Sequence, residues 1–280
     1  MQLTPEILSL RPYLFTISYN MLGMIEESED IVQDVFEKWI HVNDVNEPKY
    51  YLGKMVVNKS INRLNELKKQ RETYVGEWLP EPYITFEENS LPTIEYGLLF
   101  LLEKLNPVER AVFILRESFG EDYGFISEIT GEKEENCRQI LHRSHEKLQR
   151  NTNRSFDKTK QSELTQAFLM ALHQQDQTVL NKILKNDIEL YSDGGGKRAA
   201  ALKPLFGIDR VLKFLTGVVK LPDVQNQEFE VKQVFINGLP GAIIYNHTLG
   251  EVDSMQYVEW DDKGINKLLF VRNPDKLKVK

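Results

Sequence analysis

The apolar residues of this chain change their spacing once, and the change limits what the chain can fold into. In the first half they recur at helical intervals. Leu8, Tyr13, Ile17 and Met21 share one face, Ile31, Val35 and Trp39 repeat every four residues, and Leu52, Val56, Ile61 and Leu64 continue the pattern. From Glu228 onward the period is two, with Phe229, Val231, Gln233 and Phe235 alternating with charged or mixed neighbours. One element cannot satisfy both periods, so a helical half precedes a β-rich end. The runs Ala242–His247, Glu251–Trp260 and Ile265–Arg272 follow, parted by Leu239-Pro240-Gly241, Leu249-Gly250 and Asp261-Asp262-Lys263-Gly264. Short loops between strands predict antiparallel hairpins. Helices first and a meander of strands after them make an α+β pattern.

The breaks give five segments. Residues 1–72 read as a helical domain. Residues 73–93 carry Pro80, Pro82 and Pro92 with little periodicity and read as a linker. Residues 94–150 are helical again, with Leu98, Leu101, Leu102 and Leu105 on one face. Asn106-Pro107 starts a new helix, because proline suits the first helical turn. Tyr123–Thr130 forms a short helix ending at Gly131. Lys133–Leu148 forms a longer one, with Cys137, Ile140, Leu141, Ser144 and Leu148 inward. Two helices joined by a tight Gly-containing turn make a helix-turn-helix. The polar stretch 151–160 is a second linker. In 161–280, Leu164, Ala167, Phe168 and Ala171 mark one helix, and Val179, Leu180, Ile183 and Leu184 another, ahead of the strands.

No apolar run approaches the ~20 residues that span a bilayer. MQLTPEILSLRPYLF lacks the basic start, apolar core and small-residue cleavage site of a signal peptide. Cys137 is the only cysteine, which excludes an internal disulfide framework and a Cys-rich zinc site. No other metal-ligand spacing stands out, no cofactor is expected, and the cytosol is the expected compartment. The net charge of −7 argues against a generally sticky nucleic-acid binder. Its distribution says more. Residues 1–50 carry nine acids against three bases, whereas 54–71 carry six bases (Lys54, Lys59, Arg63, Lys68, Lys69, Arg71) against Glu66 alone. Two faces with different partners follow from such a switch; a solvated helix surface is the plainer alternative.

In Glu29-Asp30-Ile31-Val32-Gln33-Asp34-Val35-Phe36, the apolar residues bury one stripe and Glu29, Asp30, Gln33 and Asp34 form an acidic strip. This resembles the polymerase-binding helix of the sigma-70 family, and the resemblance makes Glu29, Asp30, Gln33, Asp34 and Phe36 candidate contacts to core RNA polymerase. The stretch Tyr51–Arg63 is similar to the helix that reads the upstream promoter element in extracytoplasmic-function sigma factors. Asn62 stands there in place of the usual Asp. Lys54, Asn58, Lys59, Asn62, Arg63, Lys68, Lys69 and Arg71 become candidate DNA contacts, since bases spaced along a helix neutralise phosphates. The family places a pocket for an unstacked minus-ten base in the loop His41–Glu47.

Residues 105–148 carry Leu105-Asn106-Pro107-x-Glu109-Arg110-Ala111-Val112-Phe113-x-Leu115-Arg116, then Phe125-Ile126-Ser127-Glu128-Ile129-Thr130-Gly131, then Arg138, Arg143 and Leu148. This resembles the region-four helix-turn-helix of the same family. Phe125 departs from the Glu frequent there. The resemblance puts the second helix in the major groove at the minus-thirty-five element, with Arg138, Gln139, His142, Arg143 and Lys147 as candidate contacts.

Trp78-Leu79-Pro80-Glu81-Pro82 in the first linker, Asp193-Gly194-Gly195-Gly196-Lys197, and Asn273-Pro274-Asp275-Lys276-Leu277 resemble three motifs of a sigma-factor group with a fused C-terminal SnoaL-like domain. That implies a cone-shaped α+β domain with a curved antiparallel sheet at 161–280, and an interdomain regulatory role for these residues. A Trp in a Pro-bounded strip needs a docking place, and prolines lower the entropy lost on docking. The Gly triplet reads as a tight turn, since it lacks P-loop spacing. Lys197 is expected to pair with Glu81 or Asp275. The expected function is promoter-specific transcription initiation with no catalysis by this chain, its partners being core RNA polymerase and promoter DNA. No membrane partner is expected, and a small ligand or protein at the C-terminal domain is kept open. The rival is a SnoaL-like enzyme or ligand sensor with His247, Asp193, Asp253 or Tyr245 as base.

Overall fold

The computed structural model describes residues 2–88, 94–148, 157–219 and 227–279. Pro92 of the first linker and residues 151–156 of the second lie outside the described residues. The chain forms two compact units. The first comprises Met1–Glu72, Ser90–Ile94 and Leu98–Asn153, and the second Thr73–Asn89, Glu95–Gly97 and Arg154–Lys280.

The helical unit contains α1 (Pro5–Ser9), α2 (Arg11–Leu22), α3 (Ile25–Ile40) and α4 (Pro48–Arg71). After α5 (Tyr96–Leu101) and a 3₁₀ turn (Leu102–Lys104) it continues with α6 (Pro107–Glu117), α7 (Tyr123–Thr130) and α8 (Glu134–Leu148). From Leu14 to Leu22 every residue of α2 is buried, because α3, α4 and α6 surround it. A helix in that position has no need of a polar face. The small groups of Ser18 and Ser60 meet at 3.3 Å where α2 crosses α4. Buried Arg110 of α6 donates to the Asn20 carbonyl at 3.2 Å and to Glu103 at 2.6 Å.

The expected helix start at Asn106-Pro107 is a complete capping box. The Asn106 side chain accepts from the Glu109 amide and the Glu109 carboxylate accepts from the Asn106 amide, both at 2.9 Å. Asp122 caps α7, and Gly131 ends it in the left-handed region at φ 74°.

The second unit is α+β. Among the described residues, helices α9 (Lys158–His173), α10 (Gln177–Ile183) and α11 (Ile208–Val219) accompany seven strands. These are β1 (Ile84–Thr85), β2 (Leu184–Asp193), β3 (Leu205–Phe206), β4 (Phe229–Ile236), β5 (Leu239–Asn246), β6 (Glu251–Asp261) and β7 (Gly264–Val271), in the order β1-β4-β5-β6-β7-β2-β3. The meander β4 to β7 is antiparallel, as the loops required. Three features differ from the expectation. Leu184 opens a ten-residue strand instead of ending a helix, and that strand runs parallel to β7. The helix α11 was not anticipated. The first hairpin turns at Asn237-Gly238, with φ 50° and 79°, so Leu239-Pro240-Gly241 lies inside β5. A two-residue turn with both φ positive matches strand twist, which is why this pair turns and the proline does not.

Phe168, Leu180, Ile188, Leu190, Val211, Leu215, Val258 and Leu268 form the core beneath the helices. The opposite sheet face is buried as well, at Ile243, Met255, Tyr257, Leu269 and Val271. Part of its cover is the chain that follows α4. Ile84 pairs with Ile236, Tyr96 packs edge-on to Tyr257 at 5.6 Å, and the Tyr96 hydroxyl donates to the Pro80 carbonyl at 2.8 Å. Among the described residues no helix is long and apolar enough to cross a membrane.

Candidate functional site: a buried clamp and two charged helix faces

The linker strip, the Gly-rich turn and the terminal motif meet at one carboxylate. Asp193, at the end of β2, is fully buried. Its Oδ1 accepts from the Tyr74 hydroxyl at 2.6 Å and the Gly195 amide at 3.0 Å, and its Oδ2 from the Leu79 amide at 2.9 Å and Lys276 Nζ at 2.7 Å. Four donors, one of them charged, satisfy a carboxylate that water cannot reach. Lys276 also donates to the Leu79 carbonyl at 2.6 Å and lies 4.2 Å from the Trp78 ring centroid and 5.0 Å from that of Tyr74. The linker strip is thus gripped through its backbone at Leu79 and through aromatic faces on either side. Leu79 itself is 0% exposed, and burying such a side chain is worth about 1.5–3 kcal/mol. Pro80, Glu81 and Pro82 are buried with it.

The Gly triplet is a tight turn. Gly195 and Gly196 have φ 59° and 69°, and the amides of Lys197 and Arg198 return to the Gly194 carbonyl at 3.0 and 3.1 Å. A Cβ at Gly195 would collide with the Asn273 side chain. Asn273 caps the Pro274–Lys276 turn and donates to the Tyr74 hydroxyl at 3.0 Å. Lys197 pairs with Asp275 at 2.6 Å and not with Glu81, on the surface where the pair adds little. Leu277 is buried behind the turn. Sequence reasoning missed Tyr74, four residues before the Trp, an aromatic with a polar tip in a segment read as plain linker. Burial, then the hydrogen bond to Asp193, raises its phenol above the ordinary tyrosine range. Burial, then the Asp193 charge, also raises the neighbouring Glu77.

On α3 the apolar stripe Ile25, Ile31, Val32, Val35 and Trp39 is buried, while Asp30, Gln33 and Asp34 are exposed and Glu29 is half-buried. Phe36 packs inward. At 5% exposure it belongs to the buried stripe and not to the exposed acidic strip. The bases of α4 face the acids of α3. Lys59 pairs with Asp34 at 2.6 Å, and Arg63 grips both oxygens of Glu27 at 2.7 and 2.6 Å and Glu66 at 2.8 Å. Those hydrogen bonds, Glu27 first, raise the Arg63 guanidinium further. Asn58, Asn62, Lys68 and Lys69 are exposed and Lys54 is half-buried. Arg71 turns inward to Glu103 and the Leu22 carbonyl.

Helix α8 presents Arg138, Gln139, His142, Arg143 and Lys147 outward, with Cys137, Ile140, Leu141, Ser144 and Leu148 beneath. Arg138 stacks over Tyr123 at 4.6 Å and pairs with Glu134 at 3.0 Å. His142 lies 3.8 Å from Glu146, and Lys147 pairs with Glu109 at 2.5 Å. Burial works against the Glu109 charge, but Lys147 and the Asn106 amide outweigh it and hold the carboxyl below the ordinary glutamate range. Phe125, unexplained by pattern, packs edge-on against Tyr50 of α4 at 4.9 Å, and a Cβ on Gly53 would lie 4.0 Å from it. Nearby, Tyr13 meets Phe119 at 5.3 Å and donates to Glu121 at 3.2 Å.

The four residues considered as catalytic bases are each engaged, and two of them, Tyr245 and His247, pack edge-on at 5.2 Å. Asp193 is in the clamp. Asp253 binds Arg198 at 2.7 Å and Arg272 at 3.0 Å. His247 lies on the surface 3.0 Å from Glu230, and Tyr245 stacks with Lys232 at 4.5 Å.

Residues 97–148 match the family model described as Sigma-70, region 4. The chain is 26% identical over 226 residues to the ECF RNA polymerase sigma factor SigJ of Mycobacterium tuberculosis, covering 77% of this chain and 72% of that one. It is 27% identical over 191 residues to the probable ECF RNA polymerase sigma factor SigI of the same species, covering 62% of this chain and 64% of that one. The crystal structure of M. tuberculosis SigJ shares the fold with TM-score 0.78 and 23% identity, covering 98% of this chain and 99% of that one. With a capped helix-turn-helix matched by a family model and a sigma-factor relative along most of its length, the chain is similar to the extracytoplasmic-function sigma factors of the sigma-70 family, and an α+β domain follows its region-4 segment.

Proposed function

We propose that this alternative sigma factor binds core RNA polymerase through the acidic face of α3 and directs it to promoters in the cytoplasm. In this reading Glu29, Asp30, Gln33 and Asp34 meet the polymerase. The loop His41–Glu47 with α4 opens the minus-ten region, and α8 docks the minus-thirty-five element with Arg138, Gln139, His142, Arg143 and Lys147. The observation that carries the reading is the row of exposed basic and polar side chains on α8, set on a capped helix-turn-helix of the region-four family. The SnoaL-like domain regulates, and the chain performs no catalysis. Its engaged candidate bases support that role over the enzyme reading. Gripping the linker at Leu79 restricts how the segment between the two DNA-binding regions can move, so clamping and promoter engagement are coupled equilibria.

The test is promoter opening by purified core polymerase with the full chain. Wild type should confer promoter-specific opening. Asp34→Arg should lose core affinity while its circular dichroism is unchanged. Opening that does not depend on the chain, or unchanged core affinity of Asp34→Arg in a folded protein, would sink the assignment.

A further inference from the structure

Against the C-terminal end of α4, the helical unit holds an open pocket of about 170 Å³ lined by Leu64, Lys68 and Arg71 of α4 and by Glu103, Leu105, Pro107 and Arg110. Three cations face one carboxylate. Glu103 is shared, with one oxygen accepting from Arg110 Nη1 at 2.6 Å and the other from Arg71. Lys68 at the rim has no ion-pair partner among the described residues. Arg110 is 2% exposed, and its Nη2 has no hydrogen-bond partner among the described residues. A buried guanidinium with an unmatched donor beside an unpaired lysine costs free energy that a bound anion would recover.

We propose that this cavity is a binding site for a phosphate group, either free phosphate or diphosphate or the diphosphate of a nucleotide. Arg110 and Arg71 hold it from within and Lys68 closes the rim. Arginine forks match phosphate oxygens in pairs, and an oxyanion answers both the open Arg110 donor and the Lys68 charge, whereas a water molecule answers only the donor. The backbone of DNA does not fit the same description, because each of its phosphates is tethered on both sides and stays at a surface, whereas Arg110 is buried. The cavity walls come from α4 and from the segment Glu103–Arg110, so the anion would also stabilise the packing of those two parts by linkage.

The test uses the full chain in calorimetry and thermal unfolding at constant ionic strength, with inorganic phosphate, inorganic diphosphate and a nucleoside diphosphate as probes. Diphosphate should bind saturably at one site and raise the melting temperature. Lys68→Gln, at an exposed position, should weaken it by about tenfold, the scale of one charge-assisted hydrogen bond. Arg110→Lys should weaken it further, and if that variant fails to fold, Lys68→Gln carries the test. Lys203→Gln, an exposed lysine of the other unit, should change nothing. Tighter binding of the nucleotide than of free diphosphate identifies a nucleotide as the source, and the reverse identifies the free anion; both uphold the site. The proposal is overturned if none of the three probes binds, if Lys68→Gln binds as wild type does, or if Lys203→Gln loses as much as Lys68→Gln.

Discussion

Lys276 Nζ lies 2.7 Å from Asp193 Oδ2, with the two side chains 9% and 0% exposed. This ion pair is therefore a buried one, and it joins the terminal motif to the Gly-rich turn while also touching the Leu79 carbonyl. Removing one partner leaves an uncompensated charge. Lys276→Met should destabilise the full chain by about 3–5 kcal/mol in chemical denaturation. Adding Asp193→Leu in the same chain should restore part of that loss, as a double-mutant cycle would register. A loss below about 1 kcal/mol would mean that the pair is an ordinary surface contact.

Trp78 stacks on the same ammonium. Trp78→Ala removes that face and leaves the backbone contacts of Leu79 intact. Amide hydrogen exchange across residues 74–85 should speed up while α6 and α8 keep their protection, and promoter-dependent transcription should change. If exchange and transcription both match wild type, the linker is not a regulatory handle.

Phe125 stands where the helix-turn-helix that this segment resembles frequently has Glu, and it rests on Tyr50. Such ring pairs contribute about 0.5–1.5 kcal/mol beyond area burial. Phe125→Glu should loosen α7 from α4, seen as faster exchange in α4 near Tyr50, with the helix-turn-helix still folded. Unaltered exchange there would show that the contact carries no energy.

Arg138 stands exposed on α8 and is pre-positioned by Tyr123 and Glu134. Arg138→Ala should cost about 1–3 kcal/mol of promoter affinity and relax preference at one base of the minus-thirty-five element. A uniform loss over all sequences would reassign it to phosphate.

Glu109 closes the α6 cap and binds Lys147. Its carboxyl is held below the ordinary range in the folded state, so it releases its proton more readily there than when unfolded. The stability it contributes is present above its unfolded pKa and disappears as pH falls through the folded one. Glu109→Gln should therefore lower the melting temperature at neutral pH, and the gap from wild type should close only at pH below the ordinary glutamate range. A gap that persists unchanged at that acidity would locate the effect in packing.

Much of this protein is written locally. The Asn106-Pro107 cap, the Gly131 stop, the buried stripe of α3 and the antiparallel meander each depend on residues within a few positions of one another, where backbone sterics and side-chain period act directly. Only the tertiary structure decided the rest. Pairing β2 with β7 in parallel brings Asp193 beside Val271, a match between distant segments to which no local period points. Lys276 and Asp193 stand 83 residues apart and Tyr74 and Asp193 119 apart. Which of Glu81 and Asp275 takes Lys197, whether Phe36 faces a partner or the core, and why Phe125 replaces a charge were undetermined for the same reason. Periodicity says which face of an element is apolar, but what covers that face depends on where the chain returns.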